Sequence, residues 1–162
     1  MELKKAISFD IDPSHYNLSD EGAVVVWCFD DRLNKVGHSM LDELIKNKGW
    51  EHKDLVTEPG GAKLLASENA DDAAEKQSLL NRIKSGIALH HAKTVILSVH
   101  VDCGAYGYSK SFTDGAEDQK LANDLRHAEE FIRKEVPADT TIESYVVEMD
   151  GLYRVYPDAD FS

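Results

Sequence analysis

Short apolar runs recur along the chain and predict the strands of a sheet. Residues 23–27 and 94–99 are continuous stretches of apolar and β-branched side chains, which are typical of strands covered on both faces of a parallel sheet. Residues 54–57 form a weaker strand. Residues 141–147 alternate apolar and polar side chains as an edge strand does, and a turn leads into a short final strand over residues 152–155. The pattern therefore predicts four to five strands.

Between these strands, apolar side chains recur at helical spacing. The pattern predicts one helix from about residue 39 to residue 48, ended by Gly49, and a longer one from near residue 71 to about residue 88. A third helix carries an apolar stripe over residues 121–132 and ends before Pro137. Strands that alternate with helices predict an α/β domain of three layers, in which helices flank a mainly parallel sheet.

The length and composition fit a single globular domain. The chain has 162 residues, of which 42% are hydrophobic and 30% are charged, and this size suffices to bury a core. We expect one domain over residues 1–162, with an N-terminal arm over residues 1–22 and the core over residues 23–155. The formal net charge of -12 argues against nucleic acid or an anionic membrane as a partner, because phosphates are bound by an excess of Lys and Arg.

The N-terminal sequence bears on the cellular compartment in which the protein is expected. Its first residues, MELKKAISFDIDPSHYN, lack the apolar core and the small-residue cleavage site of a signal peptide. No apolar run approaches the length of a membrane-spanning helix, so we expect a cytoplasmic protein without a membrane partner. In a reducing compartment the two cysteines of the chain, Cys28 and Cys103, favour metal binding or catalysis over a structural disulfide.

Two polar segments follow predicted strands at their carboxyl ends. Residues 28–32, CFDDR, follow the first strand, and residues 100–104, HVDCG, follow the third. In open α/β sheets, ligands bind beyond the carboxyl ends of the strands, at the point where the strand order reverses. If the first and third strands are neighbours, the two segments converge on one site.

The side chains of these segments form a set of zinc ligands. Cys28, Asp30 and Arg32 alternate along the chain, so an extended backbone directs all three to one side. His100 and Cys103 add an imidazole and a second thiolate. Two thiolates, one imidazole and either a carboxylate or a water complete a tetrahedral zinc shell. The sequence therefore predicts a Zn²⁺ site that ties the first and third strands together.

Arg32 distinguishes two states of this site. Its planar guanidinium can hold the Asp30 carboxylate with two hydrogen bonds, away from the metal, or release it to become the fourth ligand. In the first state a water binds zinc and loses a proton with a pKa of about 7. We expect Asp30 to accept the hydrogen of the resulting hydroxide and to direct its lone pair at a small electrophilic carbon.

The motif CxDxR over residues 28–32, paired with HxxCG over residues 100–104, resembles the zinc motifs of the β-class carbonic anhydrases. The similarity extends to the segment SGIALHHAKTVILSVHVDCGAYG, in which an apolar helix and a buried strand lead into the second motif. In layout it covers residues 23–155. The resemblance implies the α/β fold of that family.

The resemblance also implies a metal, a reaction and an assembly. It assigns Zn²⁺ to three side chains: Cys28, His100 and Cys103. Asp30 is implied either as the fourth ligand of a closed form or as the catalytic partner of Arg32. The implied reaction is the reversible hydration of carbon dioxide to bicarbonate by zinc-bound hydroxide, and the implied assembly is a homodimer or a higher homo-oligomer.

The chain departs from the family pattern in its longer interval between Cys28 and His100, chiefly through residues 33–54, and in two short segments. Asp31 stands where a serine is usual, and TEPGGAKLL follows the second strand in place of the family's Arg-Asn-Ala-Gly-Asn stretch. Gly60 and Gly61 in this segment are candidate pocket residues, because the segment lies near the expected pocket wall. Gly104 is a third candidate, since it permits a close turn directly after Cys103.

Three other interpretations stay open at this point. The same zinc site could act on carbonyl sulfide or carbon disulfide, whose carbon meets the same nucleophile. A catalytically silent zinc module could bind an anion or a protein partner, and the missing Asn-rich stretch keeps this interpretation open. A thiol redox protein would require Cys28 and Cys103 to pair directly, and stoichiometric zinc in the purified protein would exclude that pairing.

Overall fold

The structure, a computed structural model, describes residues 22–156 of the chain, apart from the side chains of Lys35 and Val36. Five strands form one sheet: β1 (Gly22–Trp27), β2 (His52–Thr57), β3 (Thr94–His100), β4 (Thr141–Val147) and β5 (Leu152–Val155). Their order across the sheet is β2-β1-β3-β4-β5. β1 to β4 are parallel to one another, and β5 pairs antiparallel with β4. The predicted mainly parallel sheet is confirmed.

Helices cover both faces of the sheet and make the predicted three layers. They are α1 (Asp31–Lys48), α2 (Lys63–Ala66), α3 (Ala73–His90) and α4 (Ala116–Glu135). On one face, Leu41 of α1 belongs to the same buried cluster as Val25 of β1. On the other face, Leu80 of α3 and Leu125 of α4 share a cluster with Val24. Successive side chains of β1 thus point to opposite faces of the sheet and pack in separate hydrophobic clusters, which explains why the strand is apolar throughout.

The first helix begins earlier than the apolar pattern predicts. α1 starts at Asp31 rather than near residue 39. Asp30 is its N-cap, and the Asp30 side chain accepts a hydrogen bond from the backbone N–H of Arg32 at 3.0 Å. A carboxylate at this position satisfies an otherwise free N–H of the first turn. The prediction was wrong because the polar residues of this turn carry no apolar periodicity.

β4 is an interior strand, so the prediction of an edge strand over residues 141–147 is wrong. The predicted turn into β5 is present, and β5 takes the edge position. The polar side chains of β4 are buried because they have partners: Glu143 accepts from Lys48 at 2.7 Å, and Ser144 donates to Glu129 at 3.0 Å. The alternation therefore reflects paired polar groups in the interior.

β1 and β3 are neighbours, with Val26 opposite Leu97 in the parallel register. Since β2 lies on the other side of β1, the strand order reverses at this point of the sheet. The segments that follow the two strands, residues 28–32 and 100–104, therefore meet at one end of the sheet. This convergence is the one that the sequence predicts.

The described part of the chain leaves some predictions untested. Most of the predicted N-terminal arm, residues 1–21, and residues 157–162 lie outside it. The extent of the single domain over residues 1–162 thus stays a prediction. Among the helices of residues 22–156, none combines the length and the apolar character that crossing a membrane requires.

Candidate metal centre

Three metal-ligating side chains meet at the carboxyl ends of β1 and β3. Cys28 follows β1, His100 is the last residue of β3, and Cys103 lies in the loop after it. Their ligand atoms all lie within 4.8 Å of one another. Each residue is buried, with at most 4% of its surface exposed. Two sulfurs and one imidazole nitrogen so placed match the ligand types of a zinc site.

The imidazole of His100 is fixed in one orientation. Its Nδ1 lies 2.8 Å from the backbone oxygen of Val101, to which it donates in the Nδ1–H tautomer. Its Nε2 is buried and accepts or donates no hydrogen bond of normal geometry, although the Cys28 thiol is close enough to interact with the imidazole. A buried polar nitrogen without a partner costs free energy, and a metal ion bound to Nε2 would remove that cost. The residues present therefore fit a zinc ion.

The thiols of the cluster differ in acidity. A hydrogen bond from the Cys103 thiol lowers the pKa of Cys28 to about 4, although burial acts in the opposite direction. The same hydrogen bond, together with burial, raises the pKa of Cys103. Backbone N–H groups of Asp30 and Gly60 also stabilise the Cys28 thiolate. The hydrogen bond therefore favours the thiolate form of Cys28, and Cys103 would have to release its proton to become a metal ligand.

Arg32 holds the carboxylate of Asp30 beside the cluster. The Nε of Arg32 donates to Oδ1 of Asp30 at 3.1 Å, and Nη2 donates to Oδ2 at 2.8 Å. These hydrogen bonds lower the pKa of Asp30, so its carboxylate is ionised. The predicted extended backbone from Cys28 to Arg32 is wrong, because Arg32 lies in the first turn of α1 and its side chain turns back to the N-cap.

Asp102, which the sequence pattern did not indicate, holds the other side of the same guanidinium. Oδ2 of Asp102 accepts from Nη1 of Arg32 at 2.8 Å, and the backbone oxygen of Asp102 accepts from Nη2 at 2.9 Å. Asp102 has a φ of 53°, in the left-handed region that Asp tolerates better than most residues. The sequence signal for Asp102 is an acidic residue between His100 and Cys103, and such a residue does not by itself identify a contact with Arg32.

A pocket of about 310 Å³ opens beside Cys28 and Cys103. Gly60 and Gly104, two of the candidate pocket residues, lie on its wall. Tyr108 crosses the space next to Gly104, and its hydroxyl would lie 3.1 Å from a β-carbon placed on that glycine. The remaining lining residues are Phe29, Asp30, Asp31, Pro59 and Ala105. Asp30 and the two cysteines thus line one pocket.

The third glycine candidate, Gly61, packs against β3. A β-carbon on Gly61 would lie 2.1 Å from the backbone oxygen of Ser98, and its φ of 61° is in the left-handed region. The next residue, Ala62, donates its N–H to the same oxygen at 2.8 Å. Gly61 therefore allows the loop after β2 to lie directly on β3, beneath the start of the Cys28 segment.

A second pocket, of about 420 Å³, borders Arg32 and His100. Much of its lining is apolar: Leu33, Val101, Val147 and Met149. The metal-ligand cluster is therefore bordered by two pockets, and His100 and Arg32 both contribute to the mainly apolar one.

The fold and the Cys-His-Cys cluster define an α/β protein with a candidate metal site at the switch point of its sheet. Residues 18–155 match the family described as "Putative carbonic anhydrase". The chain belongs to this family, and the resemblance seen in the sequence is confirmed. Among curated proteins, none matches the chain.

Two solved carbonic anhydrase structures resemble this chain. The β-carbonic anhydrase isoform I of the protozoan Trichomonas vaginalis is 12% identical, with a TM-score of 0.52, over 82% of this chain and 81% of that chain. A carbonic anhydrase of Streptococcus mutans is 19% identical, with a TM-score of 0.40, over 83% of this chain and 81% of that chain. The first match shows the fold, a mainly parallel sheet flanked by helices.

Proposed function

We propose that the protein is a zinc-dependent enzyme that catalyses the reversible hydration of carbon dioxide to bicarbonate. The observation that supports this most directly is the buried set of Cys28, His100 and Cys103. Asp30, whose carboxylate is held by Arg32, lines the pocket beside the two cysteines. Membership of the carbonic anhydrase family supports the same reaction.

Each side chain has a distinct task in this proposal. Cys28, His100 and Cys103 would hold Zn²⁺, whose Lewis acidity makes water acidic near neutral pH. Asp30, which is ionised because of Arg32, accepts a hydrogen bond from the attacking oxygen and so directs its lone pair at the carbon of the substrate. Arg32 keeps Asp30 in that orientation and stays charged throughout.

We also propose a closed form, in which Asp30 leaves Arg32 and becomes the fourth ligand. The structure has the two side chains paired, and the side chain of Arg32 is 54% exposed. Exposed ion pairs contribute little stability, so the pair can open readily. Crystal structures of the zinc-loaded protein at low and high pH test this form. Asp30 still paired with Arg32 and absent from the metal at both pH values would contradict it.

The resemblance to β-class carbonic anhydrases supports an assembly of identical chains, and we propose a homodimer or a higher homo-oligomer. Sedimentation equilibrium of the zinc-loaded protein measures the mass in solution. A single monomeric species at every concentration would contradict this proposal.

Stopped-flow measurement of carbon dioxide hydration on zinc-quantified protein tests the proposed reaction. We expect activity that rises with pH through neutrality and is lost in Cys103→Ser, which removes a ligand. Asp30→Asn is the sharper variant, because an amide still caps α1 but carries no charge. It is expected to retain zinc and to lose about 100-fold or more in kcat.

Full zinc occupancy without carbon dioxide hydration would overturn the proposed reaction. Hydrolysis of carbonyl sulfide or carbon disulfide by that protein would then assign the site to another substrate. Inactivity toward all three would indicate a zinc or anion-binding module. A disulfide between Cys28 and Cys103 in place of zinc would indicate a thiol redox protein.

A further inference from the structure

Each polar atom of Asp102, in the side chain and in the backbone, takes part in a hydrogen bond. Its Oδ1 accepts the backbone N–H of Ser109 at 3.1 Å, and its own N–H donates to Oε1 of Glu117 at 2.8 Å. Its Oδ2 and its backbone oxygen both accept from Arg32. Asp102 is therefore anchored to the turn after Cys103 and to α4 while it binds the guanidinium.

Arg32 in turn is bound along two edges of its guanidinium. Nε and Nη2 donate to Asp30, and Nη1 and Nη2 donate to Asp102. With Asp30 alone this would be a partly exposed ion pair, and such pairs rearrange easily. The guanidinium is a rigid plane. Once Asp102 also accepts from it, the Arg32 side chain has one orientation in which it can donate to Asp30 and to Asp102 at the same time.

We propose that Asp102 is a positioning residue, which fixes Arg32 so that the guanidinium holds both carboxylate oxygens of Asp30. This inference rests on the proposed function, in which Asp30 orients the nucleophile. Asp102 lies between His100 at the end of β3 and Cys103 in the loop, so the segment that carries two of the candidate ligands also sets the orientation of the arginine on α1. The ligands and the Asp30 carboxylate are thereby held in register for as long as Asp30 is paired with Arg32.

Two substitutions at this position separate the side chain from the backbone. Asp102→Gly removes both carboxylate oxygens, and glycine adopts the φ of 53° without strain. Asp102→Asn keeps one acceptor oxygen and a residue type that tolerates the left-handed region, and it removes the charge. The control is Asp139→Asn, which removes the same charge at an exposed loop position.

The first readout does not depend on activity. The Nε–H of Arg32 donates to Asp30, and its exchange with solvent can be followed by heteronuclear NMR in zinc-loaded and zinc-free protein. We expect exchange to become several-fold faster in Asp102→Gly, less so in Asp102→Asn, and to stay unchanged in Asp139→Asn. Unchanged exchange in Asp102→Gly would overturn the proposal.

The second readout is the rate of carbon dioxide hydration. Asp102→Gly is expected to lower kcat by about 10- to 100-fold at full zinc content. In an Arg32→Ala background the same substitution is expected to have no further effect, because Asp102 acts through Arg32. Additive losses would overturn the proposal. If the unmodified protein does not hydrate carbon dioxide, the proposed function fails, whereas the exchange measurement still decides whether Asp102 positions Arg32.

Discussion

Gly61 and Ser98 approach so closely that a β-carbon on the glycine would lie 2.1 Å from the serine's backbone oxygen. A backbone atom of a central strand cannot turn aside as a flexible side chain can. Gly61→Ala is therefore expected to lower the free energy of unfolding by at least about 2 kcal/mol, from the clash and the left-handed backbone together. Equilibrium denaturation in urea measures this loss.

Gly49→Ala is the matched control for that variant. Gly49 has a similar φ of 72° at the end of α1, but a β-carbon there would meet nothing within 4 Å. Its replacement is expected to cost only about 1 kcal/mol, from the backbone conformation alone. Equal losses in the two variants would show that contact with Ser98 does not matter.

His100→Gln is expected to lower the zinc content of the purified protein to well below that of the unmodified chain, because two thiols alone make an incomplete site. His90→Gln is the control. His90 lies at the end of α3, where its Nδ1 is 2.7 Å from a carboxylate oxygen of Asp54, and its replacement is expected to leave zinc content unchanged. Elemental analysis by mass spectrometry gives both values. Stoichiometric zinc in His100→Gln would exclude the imidazole as a ligand.

Asp30 is the N-cap of α1 as well as the proposed catalytic carboxylate, and substitutions can separate these two roles. Asp30→Ala is expected to lower the free energy of unfolding by about 1 kcal/mol relative to Asp30→Asn, since only the amide can still accept the N–H of Arg32. Thermal denaturation followed by circular dichroism compares the variants. Identical stability would mean that the cap contributes nothing to α1.

Glu143 is expected to make stability depend on pH. Burial raises its pKa, but Lys48, the Tyr145 hydroxyl and Arg154 outweigh burial and leave the pKa below its usual value of 4.5. The folded state therefore binds the Glu143 proton less readily than the unfolded chain. The resulting stability is fully present above about pH 4.5 and is lost as the pH falls through the lower pKa of the folded state.

Glu143→Gln tests this relationship. The variant is expected to be about 2 kcal/mol less stable at neutral pH, because it loses hydrogen bonds between charged groups, and to lose less stability on acidification. Glu135→Gln, which breaks the more exposed pair with Lys84, is expected to change stability by less than about 1 kcal/mol. Urea denaturation from pH 7 down to about pH 3 compares the three proteins. An acid dependence as steep in Glu143→Gln as in the unmodified protein would contradict the assignment.

The predicted strands and the convergence of the two motifs rested on local properties. Residues 23–27 are apolar throughout, so their burial on both faces could be read directly from the chain. The start of α1 could not be predicted from the sequence, because it depends on the backbone conformation of one residue, Asp30, and on the hydrogen bond by which its side chain caps the helix. The interior position of β4 could not be predicted either. Glu143 and Ser144 can be buried because they form hydrogen bonds with residues of other elements, which the local sequence does not reveal.

Asp102 shows the same limit within the candidate site. Cys28, His100 and Cys103 could be selected from the sequence because thiols and imidazoles are few and have a specific chemistry. An aspartate is common, and the importance of this one depends on a left-handed backbone and on Arg32 approaching from another segment. Neither condition is encoded in the spacing of the motif.

The separation of the candidate ligands along the chain has a consequence for the time course of folding. Cys28 precedes β2, α2 and α3, and His100 follows them, so the two meet only once β1 and β3 have paired. Such pairing of distant segments is slow to form. A metal ion would therefore join the protein after the sheet is assembled. It would lengthen the lifetime of the native state by slowing unfolding, and it would leave the rate of folding nearly unchanged.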